Sequence, residues 1–225
     1  MMSKYFEAVE TIFNPDETRL NFNRDFHGKR YGASPVMVYG GDEQIALAAK
    51  ISYGKTIIEN FEEVERIIRR LIVGNEQTPF EYASIWFYVW CSRSCHSQFL
   101  QYRMASRLTR STRRVAPMDV EFPELQEMMP EGYAKTYLKQ AVSEYEFQVE
   151  CNREKREDAR DLFPFCSVTE FYWLVNIREL QHFLSQRLHP KAEDEIKGIA
   201  KEMEGIFKKH FPITHKMWRA HNDKV

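Results

Sequence analysis

The chain has 225 residues, a formal net charge of −1, 43% hydrophobic residues and 29% charged residues. A chain of this length can bury a sizeable core, and we expect one domain spanning residues 1–225. The near-neutral charge argues against a general nucleic-acid-binding protein, so nucleic acid is not expected as a partner. No apolar run approaches the roughly eighteen residues of a membrane-spanning helix, and the first ten residues lack the apolar core of a signal peptide.

The cysteines do not form a metal-binding pattern. The four of them, Cys91, Cys95, Cys151 and Cys166, are scattered, and Cys91 and Cys95 are not in a CxxC pair. We therefore expect reduced thiols, a cytoplasmic protein and no metal site.

The N-terminal part begins with weak signals. Tyr5–Phe13 alternates weakly and predicts an opening strand. Residues 14–34 are rich in Asn, Asp, Arg and Gly without a period, which predicts a long loop or arm. Pro35–Tyr39 predicts a short strand ended by two glycines, after which Asp42 is expected to cap a helix.

Stronger periodic signals follow. Phe61–Val73 has apolar residues on one face and charged residues on the other, which predicts a helix ending at Gly74. Thr78–Glu81 contains a proline and predicts a turn. Tyr82–Cys91 is aromatic and β-branched on both faces, which predicts a strand covered on both sides.

The C-terminal half is mostly helical by pattern. Predicted helices are Ser94–Met104, Tyr133–Cys151 with Tyr137 on its inner face, Glu154–Leu162, a helix capped by Asn176 with Glu179 completing a capping box, and a last long helix opened by Pro190. Val168–Val175 predicts a second strand, and residues 115–132 contain three prolines and predict an irregular segment. The resulting fold class is α+β, with helices outnumbering strands.

The stretch Gln98–Arg114 (QFLQYRMASRLTRSTRR) is the most unusual part of the chain. It contains five arginines, four Ser or Thr residues and no acidic residue. On a helix, Arg103, Arg107, Arg110 and Arg114 would share one face and repel one another. Guanidinium and hydroxyl groups are the donors that phosphate prefers, which indicates an anion site. A solvated face, or pairing with Glu121, Glu124, Glu127 and Glu131, is the alternative.

Motifs within this stretch resemble the flavin-dependent thymidylate synthases. Gln98, Arg103, Ala105–Ser106, Ser111 and Arg113 match part of the family signature Arg-His-Arg-x-x-Ser-x-Asn-Glu-x-Ser-x-Arg. The sequence departs from the signature where Gln101 and Tyr102 replace Arg-His, and where Leu108 and Thr109 replace Asn-Glu.

Three further stretches extend the resemblance over roughly Thr78 to Met203. They are Thr78-Pro79-Phe80-Glu81, Ala159-Arg160 with Pro164, and a closing motif from Val175-Asn176-x-Arg178 through His182, Arg187 and Glu195. Such motifs are hypotheses that need their structural context.

The resemblance implies a specific activity and site. The family has a helix-rich fold with a small mixed or antiparallel sheet, and it forms homotetramers whose active sites are shared between subunits. It binds FAD, and it transfers a one-carbon unit from methylenetetrahydrofolate to C5 of dUMP with hydride from NADPH. By position, the nucleotide would be held by Gln98, Ser111, Thr112, Arg113, Arg160 and Arg187, with Ser111 and Arg187 in catalytic positions. The flavin would be held by Thr78, Glu81, Arg103, Asn176, Arg178 and His182.

The departures leave alternatives open. Loss of a cation near the flavin removes a charge-assisted bond worth about 1.5–3 kcal/mol. The product could be a hydroxymethylated dUMP or dCMP instead. A protein of the same fold that binds nucleotides or RNA without redox chemistry is a further alternative, because the Arg-His and Asn-Glu pairs are lost while Arg107, Arg110 and Arg114 are added.

Overall fold

A four-stranded antiparallel sheet forms the centre of the molecule. The computed structural model describes residues 30–112, 114 and 132–222. The strands are β1 (Gly32–Tyr39), β2 (Ser84–Ser92), β3 (Ala105–Thr109) and β4 (Val168–Asn176), in the order β1-β2-β4-β3. The predicted helix-rich α+β class with a small antiparallel sheet is confirmed.

Helices surround this sheet. They are α1 (Asp42–Ile51), α2 (Phe61–Val73), α3 (Arg93–Phe99), α4 (Tyr133–Glu150), the short α5 (Arg156–Ala159), α6 (Ile177–Arg187), α7 (Asp194–His210) and α8 (Pro212–Asn222), with 3₁₀ turns at Thr78–Tyr82 and Arg160–Leu162. The predicted bounds of α2 are confirmed, with Gly74 at its end. Within residues 30–112, 114 and 132–222, no helix is long and apolar enough to cross a membrane.

The main core lies against one face of the sheet. Ile85, Phe87 and Val89 of β2 are fully buried there with Trp173 of β4, and the inner faces of the helices pack on them. On the other face Tyr88 and Trp90 form a smaller buried cluster with Val168. The prediction that both faces of β2 are covered therefore holds for these residues, whereas Trp86 stays partly exposed.

The predicted helix Ser94–Met104 is wrong beyond Phe99. The chain turns after α3, and Ala105–Thr109 becomes the edge strand β3, in which Ala105 pairs with Val175 and Thr109 with Phe171. Side chains on a strand alternate between its faces, so the arginines of this stretch do not share one helical face. Pairing with β4 decides this conformation, because the local sequence fits either element.

The predicted start of α1 is also wrong in detail. Gly41 occupies the N-cap position, and Asp42 is buried inside the first turn. Its carboxylate instead accepts hydrogen bonds from the backbone N–H groups of Ile213 (2.8 Å) and Thr214 (3.0 Å) and from the Thr214 hydroxyl (2.6 Å). Asp42 therefore accepts the hydrogen bonds of free N–H groups at the N-terminus of α8, a helix that was not predicted from the sequence.

Other boundaries shift for similar reasons. Pro190 lies in a turn, and the long C-terminal helix begins at Asp194. The predicted helix Glu154–Leu162 is reduced to α5 and a 3₁₀ turn, and Tyr137 of α4 is 50% exposed instead of inside. Residues 32–34 of the predicted arm belong to β1, whereas Tyr5–Phe13, most of the arm and the acidic residues at 121–131 lie outside the described residues.

Candidate active site

The C-terminus of α6 and the turn after α3 form a polar cluster around Arg187. The Arg187 Nε donates to the Tyr102 hydroxyl at 2.8 Å, its Nη1 to Gln98 Oε1 at 2.9 Å and its Nη2 to Gln101 Oε1 at 3.1 Å. The guanidinium also lies 5.6 Å from the centre of the Tyr102 ring. Gln98 and Arg187, both expected to bind the nucleotide, are therefore adjacent, although they are 89 residues apart in sequence.

Gln98 is itself held in place. Its amide nitrogen donates to Glu193 Oε2 at 2.7 Å, while its amide oxygen accepts from Arg187. Ser92 caps the start of α3, and both its backbone N–H and its hydroxyl donate to the carboxylate of Glu195, each at 2.7 Å. The motif residue Glu195 therefore ties the beginning of α7 to the beginning of α3, which fixes the helix that carries Gln98.

A second group of expected site residues meets at the other end of α6. Arg178 Nη1 pairs with Glu81 Oε1 at 2.5 Å, across 97 residues of sequence. The Asn176 side chain accepts from the Glu179 backbone N–H at 2.9 Å, so its predicted role as the cap of α6 is confirmed. The Arg178 charge, which would oppose the helix dipole at this end, is thus compensated within the chain.

His182 connects the two groups. Its ring lies edge-on to the Tyr102 ring with 5.8 Å between centroids, and its Nε2 is 3.3 Å from Gln186 Nε2. Arg178 and His182, assigned to the flavin, and Arg187, assigned to the nucleotide, consequently lie along α6, and Tyr102 contacts both His182 and Arg187.

A cavity of about 480 Å³ opens beside the flavin-side residues. It is lined by polar side chains from the α2–turn region, α6 and α8, with one tryptophan: Asn75, Gln77, Arg178, Glu179, Gln181, His182, Ser185, Trp218, His221 and Asn222, together with Ile72. Gln181 is 6% exposed, and its amide nitrogen has no hydrogen-bond partner among the residues that the structure describes. A buried unsatisfied amide costs about 1–3 kcal/mol, so this N–H is a donor available to a polar group in the cavity.

The arginine-rich stretch is used differently from the prediction. Arg107 Nη1 donates to the carbonyl oxygens of Phe99 (2.6 Å) and Tyr102 (2.8 Å), and so satisfies the C-terminal end of α3. Arg110 pairs with the nearly buried Glu170 at 3.5 Å. Arg103 is exposed near the start of β3. Two of the five arginines in this stretch, Arg107 and Arg110, therefore bind groups of the protein itself.

The other residues expected to bind the nucleotide lie on several different segments. Ser111 is exposed and Thr112 half-buried just after β3, while Arg113 lies outside the described residues. Arg160 is exposed on its 3₁₀ turn, and Thr78 opens the turn that carries Glu81. In the described part of the chain, the Arg160 side chain has no hydrogen bond to Gln98 or Arg187.

Burial sets the protonation of several groups. It raises the pKa of the Tyr102 hydroxyl, against the opposing effect of Arg187. Burial likewise raises the pKa of the Cys91 thiol well above its usual value. It lowers the pKa of His96, helped by Arg107 and Arg93, and the His96 Nε2 lies 3.0 Å from the hydroxyl of Thr109.

Sequence reasoning missed several members of this site. Tyr102 and Gln101 were noted only as departures from the family signature, yet both contact Arg187. Gln181 carries no motif signal, and the cavity residues of α8 were missed because no helix was predicted over Pro212–Asn222. Among the described residues, no cluster of His, Cys, Asp and Glu could hold a metal ion.

Comparison with known proteins gives one consistent result. The family model "Thymidylate synthase complementing protein" matches residues 36–213. The chain is 32% identical over 183 residues to a flavin-dependent thymidylate synthase from Thermococcus onnurineus, covering 75% of this chain and 74% of the relative. It is 28% identical over 188 residues to one from Pseudothermotoga lettingae, covering 78% and 84%.

Solved structures agree on the fold. A UMP/dUMP methylase, PolB from Streptomyces cacaoi bound with 5-Br dUMP, superposes with a TM-score of 0.73 at 23% identity. The match covers 84% of this chain and 95% of that one. At this identity the likeness concerns the fold alone.

Proposed function

Because the chain belongs to the thymidylate synthase complementing protein family, we propose that it transfers a one-carbon unit from a reduced folate to C5 of a deoxypyrimidine monophosphate. The first candidate substrate is dUMP, and the enzyme is flavin-dependent, as the name of its relatives states. The observation that carries the proposal is the Arg187 guanidinium, which neutral side chains hold in place. No carboxylate within salt-bridge distance neutralises it among residues 30–112, 114 and 132–222, so its charge is available to an anionic ligand.

The chain's own residues bind and orient the nucleotide. Arg187, Gln98, Ser111 and Thr112 supply donors, and Arg113 extends the same segment. Ser111 and Arg187 are the proposed catalytic residues. Cys91 is fully buried and its thiol has a raised pKa, so it is not the nucleophile that attacks the pyrimidine.

The polar cavity beside α6 fits part of a flavin dinucleotide. Phosphate, ribose and adenine need charged and neutral donors, and the cavity offers Arg178 and His182 with several amides around the buried Gln181. The proposed cofactor-binding residues are Thr78, Glu81, Arg103, Asn176, Arg178 and His182, of which Asn176 acts by capping α6. When bound, FAD supplies the redox chemistry, with NADPH as the proposed reductant and methylenetetrahydrofolate as the proposed carbon donor.

The proposed assembly is a homotetramer with shared sites. Arg160 is exposed, and among the described residues it makes no hydrogen bond to Gln98 or Arg187. An arginine in this position can serve a nucleotide bound by a neighbouring subunit. Cross-complementation tests this directly, because a mixture of Arg160→Ala and Arg187→Ala proteins would regain activity only in mixed oligomers.

The alternative of an RNA-binding protein loses support from the geometry. It depended in part on Arg107, Arg110 and Arg114, but Arg107 binds backbone carbonyls and Arg110 pairs with Glu170. The hydroxymethyl product is not better supported than the methyl product.

The test is nucleotide-dependent flavin chemistry. The purified protein is expected to be yellow and to oxidise NADPH faster when dUMP is added. Mass spectrometry of the nucleotide after incubation with methylenetetrahydrofolate then separates a methyl from a hydroxymethyl product. A colourless protein that does not take up added FAD would refute the proposed activity.

A further inference from the structure

The side chains that replace the family's Arg-His pair contact a different part of the site from the one expected. By the resemblance, Gln101 and Tyr102 replace a pair that lies near the flavin and the folate. In the structure both contact Arg187, the proposed nucleotide-binding arginine, at 3.1 Å and 2.8 Å. The substitution therefore also bears on the side chain that is proposed to hold the substrate.

Tyr102 is rigidly placed. It is 2% exposed, and its ring packs edge-on against Phe183 at 5.1 Å and Trp173 at 6.3 Å between centroids. Its hydroxyl donates to Gln186 Oε1 at 2.8 Å and accepts from Arg187 Nε at 2.8 Å. Both hydrogen-bonding functions of the hydroxyl are therefore used, and its position is fixed by the core.

The geometry also defines what Arg187 can still bind. A guanidinium carries five N–H groups and no acceptor. Three of them are taken by Tyr102, Gln98 and Gln101, which leaves one N–H on each terminal nitrogen. All three partners are neutral oxygens, so they fix the orientation of the group without neutralising its charge. Arg187 is half-buried, which leaves part of it open to a ligand.

We propose that Tyr102 and Gln101 are positioning residues that orient Arg187 so that its two remaining N–H groups meet an oxygen of the bound pyrimidine nucleotide. Tyr102 is the fixed element, since it is anchored in the core. Gln101 is exposed and supports the second terminal nitrogen. This inference rests on the proposed function, because it needs a pyrimidine nucleotide at Arg187.

The experiment is a double-mutant cycle read by calorimetric titration with dUMP. Tyr102→Phe deletes only the hydroxyl. We expect it to weaken dUMP binding roughly tenfold, because a tenfold change in Kd corresponds to the free energy of about one hydrogen bond. Arg187→Lys keeps the charge but cannot make the forked contacts, and weakens binding further. In the Arg187→Lys background, adding Tyr102→Phe is expected to change affinity by less than about twofold, because the two residues act as a unit.

Controls separate positioning from folding. Tyr88→Phe makes the same chemical change at a buried tyrosine on the other face of the sheet and is expected to leave dUMP affinity unchanged. In the free protein, the ¹⁵N–¹H signal of Arg187 Nε, assigned by its loss in Arg187→Lys, is expected to exchange slowly in the wild type and rapidly in Tyr102→Phe.

The outcomes are distinct. An unchanged dUMP affinity in Tyr102→Phe, or an equal loss in the wild-type and Arg187→Lys backgrounds, overturns the positioning role while leaving the proposed function intact. If the wild type itself binds no pyrimidine nucleotide, the proposed function fails and the positioning role fails with it.

Discussion

Replacing Asp42 by alanine is expected to loosen α8 and, with it, one wall of the proposed flavin cavity. The carboxylate accepts three hydrogen bonds from Ile213 and Thr214 at the start of α8, and Thr214 is fully buried. Each buried donor left without an acceptor costs about 1–3 kcal/mol. Part of this loss is offset, because burial raises the pKa of Asp42 against the opposing hydrogen bonds, so removing the carboxylate also relieves desolvation.

The net loss in the free energy of unfolding is therefore about 2–4 kcal/mol. For a chain of this size each kcal/mol corresponds to about 2–4 °C, so Tm is expected to fall by about 5–15 °C. The cavity wall contributed by Trp218, His221 and Asn222 belongs to α8, so FAD affinity measured by quenching of flavin fluorescence is expected to weaken as well.

Two matched variants sharpen this measurement. Asp42→Asn keeps one acceptor oxygen and is expected to lie between the wild type and Asp42→Ala. Glu43→Ala changes the exposed neighbouring carboxylate and is expected to leave Tm within about 2 °C of the wild type. A Tm for Asp42→Ala as close to the wild type as that of Glu43→Ala would refute the reasoning.

Two further changes probe the ends of α6 and α8. Glu81→Gln removes the charge that holds Arg178, and because the pair is half-exposed the loss of stability is at most about 1 kcal/mol, whereas FAD affinity is expected to fall several-fold in the same fluorescence titration. A large drop in Tm with unchanged FAD affinity would show that the pair is only structural. Burial alone would raise the pKa of Glu204, but its contacts with Arg219 and His215 outweigh burial and lower it below the usual 4.5. Its stabilising contribution is therefore present above pH 4.5 and lost as pH falls through the lower, folded-state value, so denaturant midpoints of the wild type should fall more steeply below pH 4.5 than those of Glu204→Gln. Parallel pH profiles for the two proteins would contradict this assignment.

The sequence by itself determined those helix boundaries that depend only on neighbouring residues. Helix α2 has the predicted bounds, because an apolar stripe at helical spacing and a following glycine specify it without outside help. Asn176 caps α6 as predicted, since its partner Glu179 is three residues away. The resemblance to the family motifs likewise pointed to Gln98, Arg187, Glu81 and Arg178.

Tertiary structure decided what contacts what over long separations. The stretch after Phe99 forms β3 because its backbone pairs with that of β4. Its partner residues are 60 or more positions away in the sequence, so the local pattern of this stretch does not predict the pairing. Tyr102 and Arg187 are 85 residues apart, and Asp42 and Thr214 are 172 apart. Such pairs depend on how the helices cross the sheet, which local spacing does not encode. The sequence therefore indicated which groups could bind a nucleotide, and the packing of α3 against α6 decided which neutral side chains hold them in place.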